Sequence, residues 1–503
     1  MKQKLGLILG AGAGLLILLL FDPEPDNPLI GRTAAVAALM AIWWVTEAIP
    51  IPATAMLPVA LFPLLGVMKG GAVAGAYFNH VIFLFIGGFI VALAMQKWGL
   101  HRRIALLTIL LIGGGQRRII FGFMLATFVL SMWVSNTATT MMMVPMALAI
   151  ILKLRENAGA DEASRRSVNS FAVALLIGVA YAASIGGAAT LIGTPPNLVL
   201  VQQLAINFPE APQISFTSWL MLALPFAALF LVITWALLNR LFLGREKRLE
   251  ADIDLFRNEY RALGRMSYPE KVVLAAFSLM ALLWILRADI RLGAFTIPGW
   301  SGLFPEPGFV DDGVVAIVVA LALFVIPAGA ASGGRIMDWR TAVKLNWGIV
   351  ILFGGGFALA AGFVQSGLTE WLGRSLAGFS ETPSAVFVAV VSVLMTFLTE
   401  LTSNTASTQM ILPVLASFSS ANQIHPLLLM IPATLAASCA FMLPVATPPN
   451  AIVFGSGEIK MSDMMRAGLT MNLIGVVLIV LALYLVGVGV FDINTAAMPD
   501  WAG

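Results

Sequence analysis

The chain has 503 residues, 59% of them hydrophobic and only 11% charged, with a formal net charge of +3. A soluble domain carries about 25% charged residues, and a mean hydropathy of +0.94 excludes one here. The single cysteine, Cys439, leaves no intrachain disulfide framework. His80, His101 and His425 stand too far apart for a zinc motif, and no nucleic-acid signature is visible. These limits define an all-α polytopic membrane protein.

Apolar blocks that match a hydrocarbon core of about 30 Å fall near 5–21, 31–49, 53–68, 83–96, 119–152, 169–208, 218–243, 272–286, 313–330, 347–365, 384–417, 426–455 and 467–489. The first follows Lys2 and Lys4 like a signal peptide. However, the acidic, proline-rich segment Asp22-Pro23-Glu24-Pro25-Asp26 comes next without a small-residue cleavage site, so a retained span is expected. The blocks 119–152 and 384–417 are each too long for one ordinary span and carry a polar phrase near the middle. A re-entrant hairpin fits both, because irregular backbone at membrane depth is tolerated only inside protein or beside a water-filled cavity. Eleven spans remain.

With the N-terminus inside and the C-terminus outside, all but five of the 29 Lys and Arg fall on the inner side. The five exceptions are Arg32, Lys69, Arg287, Arg291 and Arg374. In the longest polar stretch, Glu246–Lys271, Leu249, Ile253, Phe256, Tyr260 and Leu263 recur at helical spacing and predict an amphipathic linker helix on the inner surface. Tryptophans including Trp44, Trp219, Trp284, Trp339 and Trp347 are expected near the interfaces, as in aromatic belts.

One phrase occurs twice. Ser135-Asn136-Thr137-Ala138 returns as Ser403-Asn404-Thr405-Ala406, 268 positions later, and Thr194-Pro195-Pro196-Asn197 returns as Thr447-Pro448-Pro449-Asn450. At the same offset of 268, Phe85-x-Gly87-Gly88-Phe89 matches Phe353-x-Gly355-Gly356-Phe357, Gly99-Leu100 matches Gly367-Leu368, and Pro145 matches Pro413. In the expected topology the block at 83–96 runs inward and its partner at 347–365 runs outward. The halves are therefore read as inverted-topology repeats whose tips meet near the midplane, the plan of many secondary transporters. The chain divides into N-terminal scaffold helices (1–82), a first repeat (83–243, hairpin 119–152, broken helix 169–208), a linker helix and connecting span (244–312), and a second repeat (313–503, hairpin 384–417, broken helix 426–455).

Ser, Thr and Asn at a helix break offer neutral oxygens, and the break frees backbone carbonyls; both suit a hard cation. The following half-helix offers free N–H groups and a positive dipole end, which suit a carboxylate or other oxyanion. Pro195-Pro196 and Pro448-Pro449 enforce the breaks. Neither tip contains Lys or Arg, so a dianion there needs co-bound cations, and anion and cation are expected to be coupled. Glu400, beside the second tip, has open alternatives: a proton or cation participant, a solvated wall residue, or a carboxylate paired with a donor. Glu47, at a span end, reads as structural.

The paired Ser-Asn-Thr motifs, the two Thr-Pro-Pro-Asn segments and Trp43-Trp44-Val45-Thr46-Glu47-Ala48-Ile49-Pro50 resemble the divalent anion:sodium symporters, among them bacterial sodium/dicarboxylate transporters. The resemblance covers nearly the whole chain. It implies eleven transmembrane helices plus two hairpins, a homodimer in the lipid of a bacterial inner membrane, and elevator-type movement. It implies at least two Na+ sites, one at Ser131, Ser135, Asn136 and Gly193, the other at Thr399, Thr402, Asn404 and Ala446. It places the substrate at Asn136, Thr137, Asn404 and Thr405, backed by Thr194, Pro195, Thr447 and Pro448.

The implied activity is sodium-coupled import of C4-dicarboxylates such as succinate, malate or fumarate. The alternatives are a sodium-independent dicarboxylate exchanger and a sulfate or tricarboxylate carrier. Retention of Ser131, Ser135 and Thr399 favours symport. A membrane-embedded enzyme is disfavoured, because no nucleophile–base pair, metal cluster or acid pair lies at either tip. Two occluding hairpins disfavour a passive channel.

Overall fold

The computed structural model describes residues 2–158, 161–243, 254–292, 295–329, 333–378 and 382–502. Helices α1 (Lys2–Leu20) and α2 (Leu29–Thr46) pack side by side and lead into the short α3 (Ile51–Thr54), α4 (Leu57–Leu64) and α5 (Gly70–Tyr77). The block at 53–68, expected as one span, is therefore divided. Pro52 and Pro58 stand in the first turns of α3 and α4, and Pro63 removes a further amide donor.

The first repeat supplies α6 (His80–Lys97), α7 (Leu100–Ile112), α8 (Gln116–Ser131), α9 (Asn136–Ala158), α10 (Glu162–Ala188), α11 (Pro195–Asn207) and α12 (Phe216–Leu238). Then come α13 (Asp254–Ala262), α14 (Tyr268–Ile285) and α15 (Asp312–Val325). The second repeat continues with α16 (Trp339–Ala342), α17 (Trp347–Ser366), α18 (Leu368–Ser375), α19 (Ser384–Thr399), α20 (Asn404–Ala421), α21 (Pro426–Ala437), α22 (Pro448–Gly455) and α23 (Met461–Ala482). Among the described residues, nine helical segments are long and apolar enough to cross a membrane, and four shorter apolar ones accompany them.

The apolar window of α10 is wholly buried, against 17% for α1 and 28% for the segment that begins with α23, so the fold is arranged around α10. Helices α8 and α9 pack on α10, and the two repeats interlock where α22 meets α9 and α10 and where α11 meets α20. That interlock brings the four helix breaks together.

Two expectations need correction. The polar stretch is not one helix to Lys271: α13 stops at Ala262, Gly264 adopts a left-handed φ of 63°, and a capping box of Ser267 and Glu270 starts α14. Leu249 and Ile253 lie outside the described residues, whereas Phe256 is fully buried against Phe123. Trp44, Trp219 and Trp284 are core residues, because each indole N–H reaches a backbone carbonyl, of Ile51, Ala188 and Asp312 respectively. Trp339 and Trp347 are exposed. The all-α architecture carries one small addition: an antiparallel pair, β1 (Ile290–Leu292) and β2 (Phe295–Ile297), sits between α14 and α15 with Ile290 opposite Ile297.

Candidate substrate and ion site

Both Ser-Asn-Thr phrases lie where one helix stops and the next begins. Helix α8 ends at Ser131 and α9 starts at Asn136; α19 ends at Thr399 and α20 starts at Asn404. In the first tip Ser131 Oγ donates to Asn136 Oδ1 at 2.6 Å, and Ser135 Oγ accepts the Ala138 N–H at 3.2 Å. In the second tip Thr402 Oγ1 donates to the Leu398 carbonyl at 2.8 Å, and Asn404 Oδ1 is buried with no partner among the described residues.

The Thr-Pro-Pro-Asn segments open the second halves of two broken helices. Between α10 and α11, Asn197 Nδ2 donates to the carbonyls of Thr190 at 2.7 Å and Ala188 at 3.3 Å. Between α21 and α22, Asn450 Nδ2 donates to the carbonyls of Leu443 at 3.0 Å and Ala440 at 3.2 Å. The same asparagine thus pins the same break in each repeat. Tip and break are in contact. A Cβ on Gly187 would lie 2.6 Å from Asn136 Oδ1 and would displace that amide, and one on Gly193 would lie 2.5 Å from the Gly187 carbonyl, so Gly193 demands glycine.

One cavity of about 680 Å³ collects these elements. From the first repeat Ser135, Asn136, Thr137, Gly193, Thr194 and Pro195 line it; from the second, Thr402, Asn404, Thr405, Ala446, Thr447 and Pro448. Ser131 and Thr399 are fully buried, one helical turn behind the tips and off the cavity wall. No Lys, Arg or His is among the lining residues, and the single charged one is Glu47, which closes α2 in a left-handed conformation (φ 48°).

The structure narrows where an anion could find amide donors. Pro195 and Pro196, like Pro448 and Pro449, fill the first turns of α11 and α22 and have no N–H. The next amides are already used: Asn197 N–H goes to the Thr194 carbonyl and Asn450 N–H to Thr447 Oγ1. The donors left by a helix start are therefore those of α9 and α20, at Asn136–Thr137 and Asn404–Thr405.

Sequence reading missed four residues. Asn197 and Asn450 stood in the duplicated phrase, and their repetition was the available signal. Ser184 and Ser438 line the cavity, are 3% and 4% exposed, and have hydroxyls with no partner among the described residues. They lie outside every duplicated phrase, and only their polarity at the ends of apolar half-helices marked them. Glu400 is paired rather than solvated. It is 3% exposed, and its carboxylate accepts the N–H groups of Phe441 at 2.7 Å, Met442 at 2.8 Å and Leu443 at 3.0 Å, together with Asn472 Nδ2 at 2.7 Å.

A multipass helical protein in which four helix breaks converge on one cavity has the architecture of a secondary transporter. Comparison with known proteins makes this specific. Residues 2–491 match the family described as the sodium:sulfate symporter transmembrane region. The sodium-dependent dicarboxylate transporters SdcS of Staphylococcus saprophyticus and Staphylococcus aureus (strain bovine RF122) are 44% and 45% identical over 484 and 487 residues, covering 96% of this chain and 91% of each relative. Two solved structures share the fold: the Alcanivorax borkumensis YdaH transporter (TM-score 0.55, 15% identity, 90% of this chain and 98% of that one) and Neisseria gonorrhoeae MtrF (TM-score 0.56, 14% identity, 86% of each). The chain belongs to the divalent anion:sodium symporter family. It is a multipass membrane transporter and not an enzyme.

Proposed function

We propose that this protein imports C4-dicarboxylates such as succinate, malate and fumarate, coupled to sodium, across a bacterial inner membrane. The observation that carries the reading is that both Ser-Asn-Thr tips and both Thr-Pro segments line one cavity. Its volume of about 680 Å³ falls within the usual 300–1,000 Å³ of small-ligand sites. The two curated relatives quoted above are named as sodium-dependent dicarboxylate transporters, which agrees with that substrate class.

The coupling follows from charge. A dianion enters a cavity whose lining offers no basic side chain and one acid, Glu47. Sodium ions held behind the tips supply the missing positive charge, so each ligand favours the other. Ser131, Ser135, Asn136 and Gly193 form the first cation site. Thr399, Thr402, Asn404 and Ala446 form the second. Asn136, Thr137, Asn404 and Thr405 take the carboxylates through side chains and helix-start amides, with Thr194, Pro195, Thr447 and Pro448 behind them. Ser184 and Ser438 direct their unpaired hydroxyls to the same ligands, because a buried unpaired hydroxyl costs about 1–3 kcal/mol until it finds a partner.

In this reading the tips are re-entrant hairpins of inverted repeats, eleven spans cross the membrane, and the N-terminus is cytoplasmic. The chain acts as a homodimer whose broken helices move together as an elevator against α2–α5 and α17. Uptake of labelled succinate into proteoliposomes tests the proposal. We expect uptake with an inward sodium gradient and none in potassium alone. Equal uptake without sodium, dependent on succinate loaded inside, would instead identify an exchanger.

A further inference from the structure

We propose that Gln409 is a gating residue. With Gln203 it closes one end of the cavity on Gly356, and its unpaired amide keeps that seal weak enough to part in every transport cycle; this rests on the transport reading above. Helix α17 gives Asn346, Gly348, Ile349 and Leu352 to the cavity wall. Gly356 lies one turn beyond Leu352 on the same face, yet it is buried and off the wall. Gln409 of α20 covers it: a Cβ on Gly356 would lie 1.5 Å from Gln409 Oε1. From α11, Gln203 Nε2 approaches the Gly356 carbonyl at 3.5 Å, a long and weak contact.

Both glutamines are 0% exposed, and neither Oε1 nor Nε2 of Gln409 has a partner among the described residues. Such an amide loses its hydration at donor and acceptor alike and gains no hydrogen bond in return. An apolar side chain of the same length would fill the seam without that cost. The first repeat has one: at the offset of 268, Met141 stands where Gln409 does, and Gly88 where Gly356 does. There Met141 is 61% exposed, and a Cβ on Gly88 would meet Ile192 at 3.3 Å instead. Of these two matching positions, the one that seals carries the amide. In the reading above, the broken helix that contains α11 moves against α17, so this seam has to part. Once it parts, water reaches the amide and the cost disappears. The unpaired amide therefore raises the sealed state relative to the parted one and keeps it from becoming a trap.

Gln409→Met, which keeps the length of the side chain and removes the amide, tests this. The unfolding midpoint of the purified full-length protein should rise by about 1–2 °C. Sodium-driven succinate uptake per folded protein should fall about tenfold, equivalent to about 1.4 kcal/mol. Succinate affinity measured by calorimetry in sodium should stay within about twofold of wild type, because neither tip is altered.

Wild-type turnover in Gln409→Met, or a lowered unfolding midpoint, would overturn the proposal and leave Gln409 as a packing residue. Loss of succinate binding together with turnover would place Gln409 at the ligand site and overturn it as well. If that variant does not fold, Gln203→Leu decides, since it strips the same seam of its other amide: slowed uptake with unchanged binding supports the gate, and wild-type turnover contradicts it. Absence of sodium-dependent uptake in the wild type would instead contradict the transport reading itself.

Discussion

The two tips repeat a phrase but not a state. In the first, Asn136 Oδ1 is held by Ser131 and Ser135 caps the start of α9. In the second, Asn404 Oδ1 has no partner among the described residues, and Ser403 makes no side-chain cap. The breaks behind them differ likewise, with Gly193 tight against Gly187 in one and Ala446 in the other. The asparagine clamps, Asn197 and Asn450, are common to both, as are the Thr140 and Thr408 hydroxyls that donate to the Asn136 and Asn404 carbonyls. What is shared fixes the shape of each break, and what differs sets how many polar groups of each tip are already paired within the chain.

The largest expected effect tests whether both tips matter equally. Asn136→Ala and Asn404→Ala should each cut succinate uptake by about 100-fold, since each removes ligands to both cation and anion. Near-normal uptake in either, measured on folded protein, would break the pairing of the tips. Next, Gly193→Ala places a methyl 2.5 Å from the Gly187 carbonyl. It should cost about 1–3 kcal/mol of stability and most of the uptake, whereas Ala446→Gly, where a Cβ already fits, should change uptake only a few-fold.

The clamps should behave alike. Asn197→Leu and Asn450→Leu each unpair buried carbonyls and should each lower stability by about 1–3 kcal/mol in thermal unfolding. A large difference between them would show that the breaks are not equivalent. The smallest effects belong to the hydroxyls. Ser131→Ala should raise the sodium concentration for half-maximal uptake by about threefold to tenfold, and Ser184→Ala or Ser438→Ala should raise the KM for succinate by a few-fold.

Much of this was legible in the sequence because helix breakers and polar residues are costly within an apolar chain. The duplicated phrases located both tips and both broken helices, and the structure gathers them at one cavity. Local rules could not tell that Trp44, Trp219 and Trp284 are core residues, because an indole's partner is set by tertiary packing. Nor could they resolve Glu400, whose donors lie 41 to 72 positions away. The prolines were read as breakers, but their missing N–H groups also leave α9 and α20 as the helix starts with free amides at the cavity, a consequence visible only once the helix starts are fixed.

Titration of succinate into the purified protein at saturating sodium, followed by calorimetry, probes the shared site most directly. A single site built from both tips predicts one bound succinate per chain in wild type and loss of that binding in Asn136→Ala and in Asn404→Ala alike. Two independent half-sites would give the contrary result, with each variant retaining undisturbed binding at the other tip.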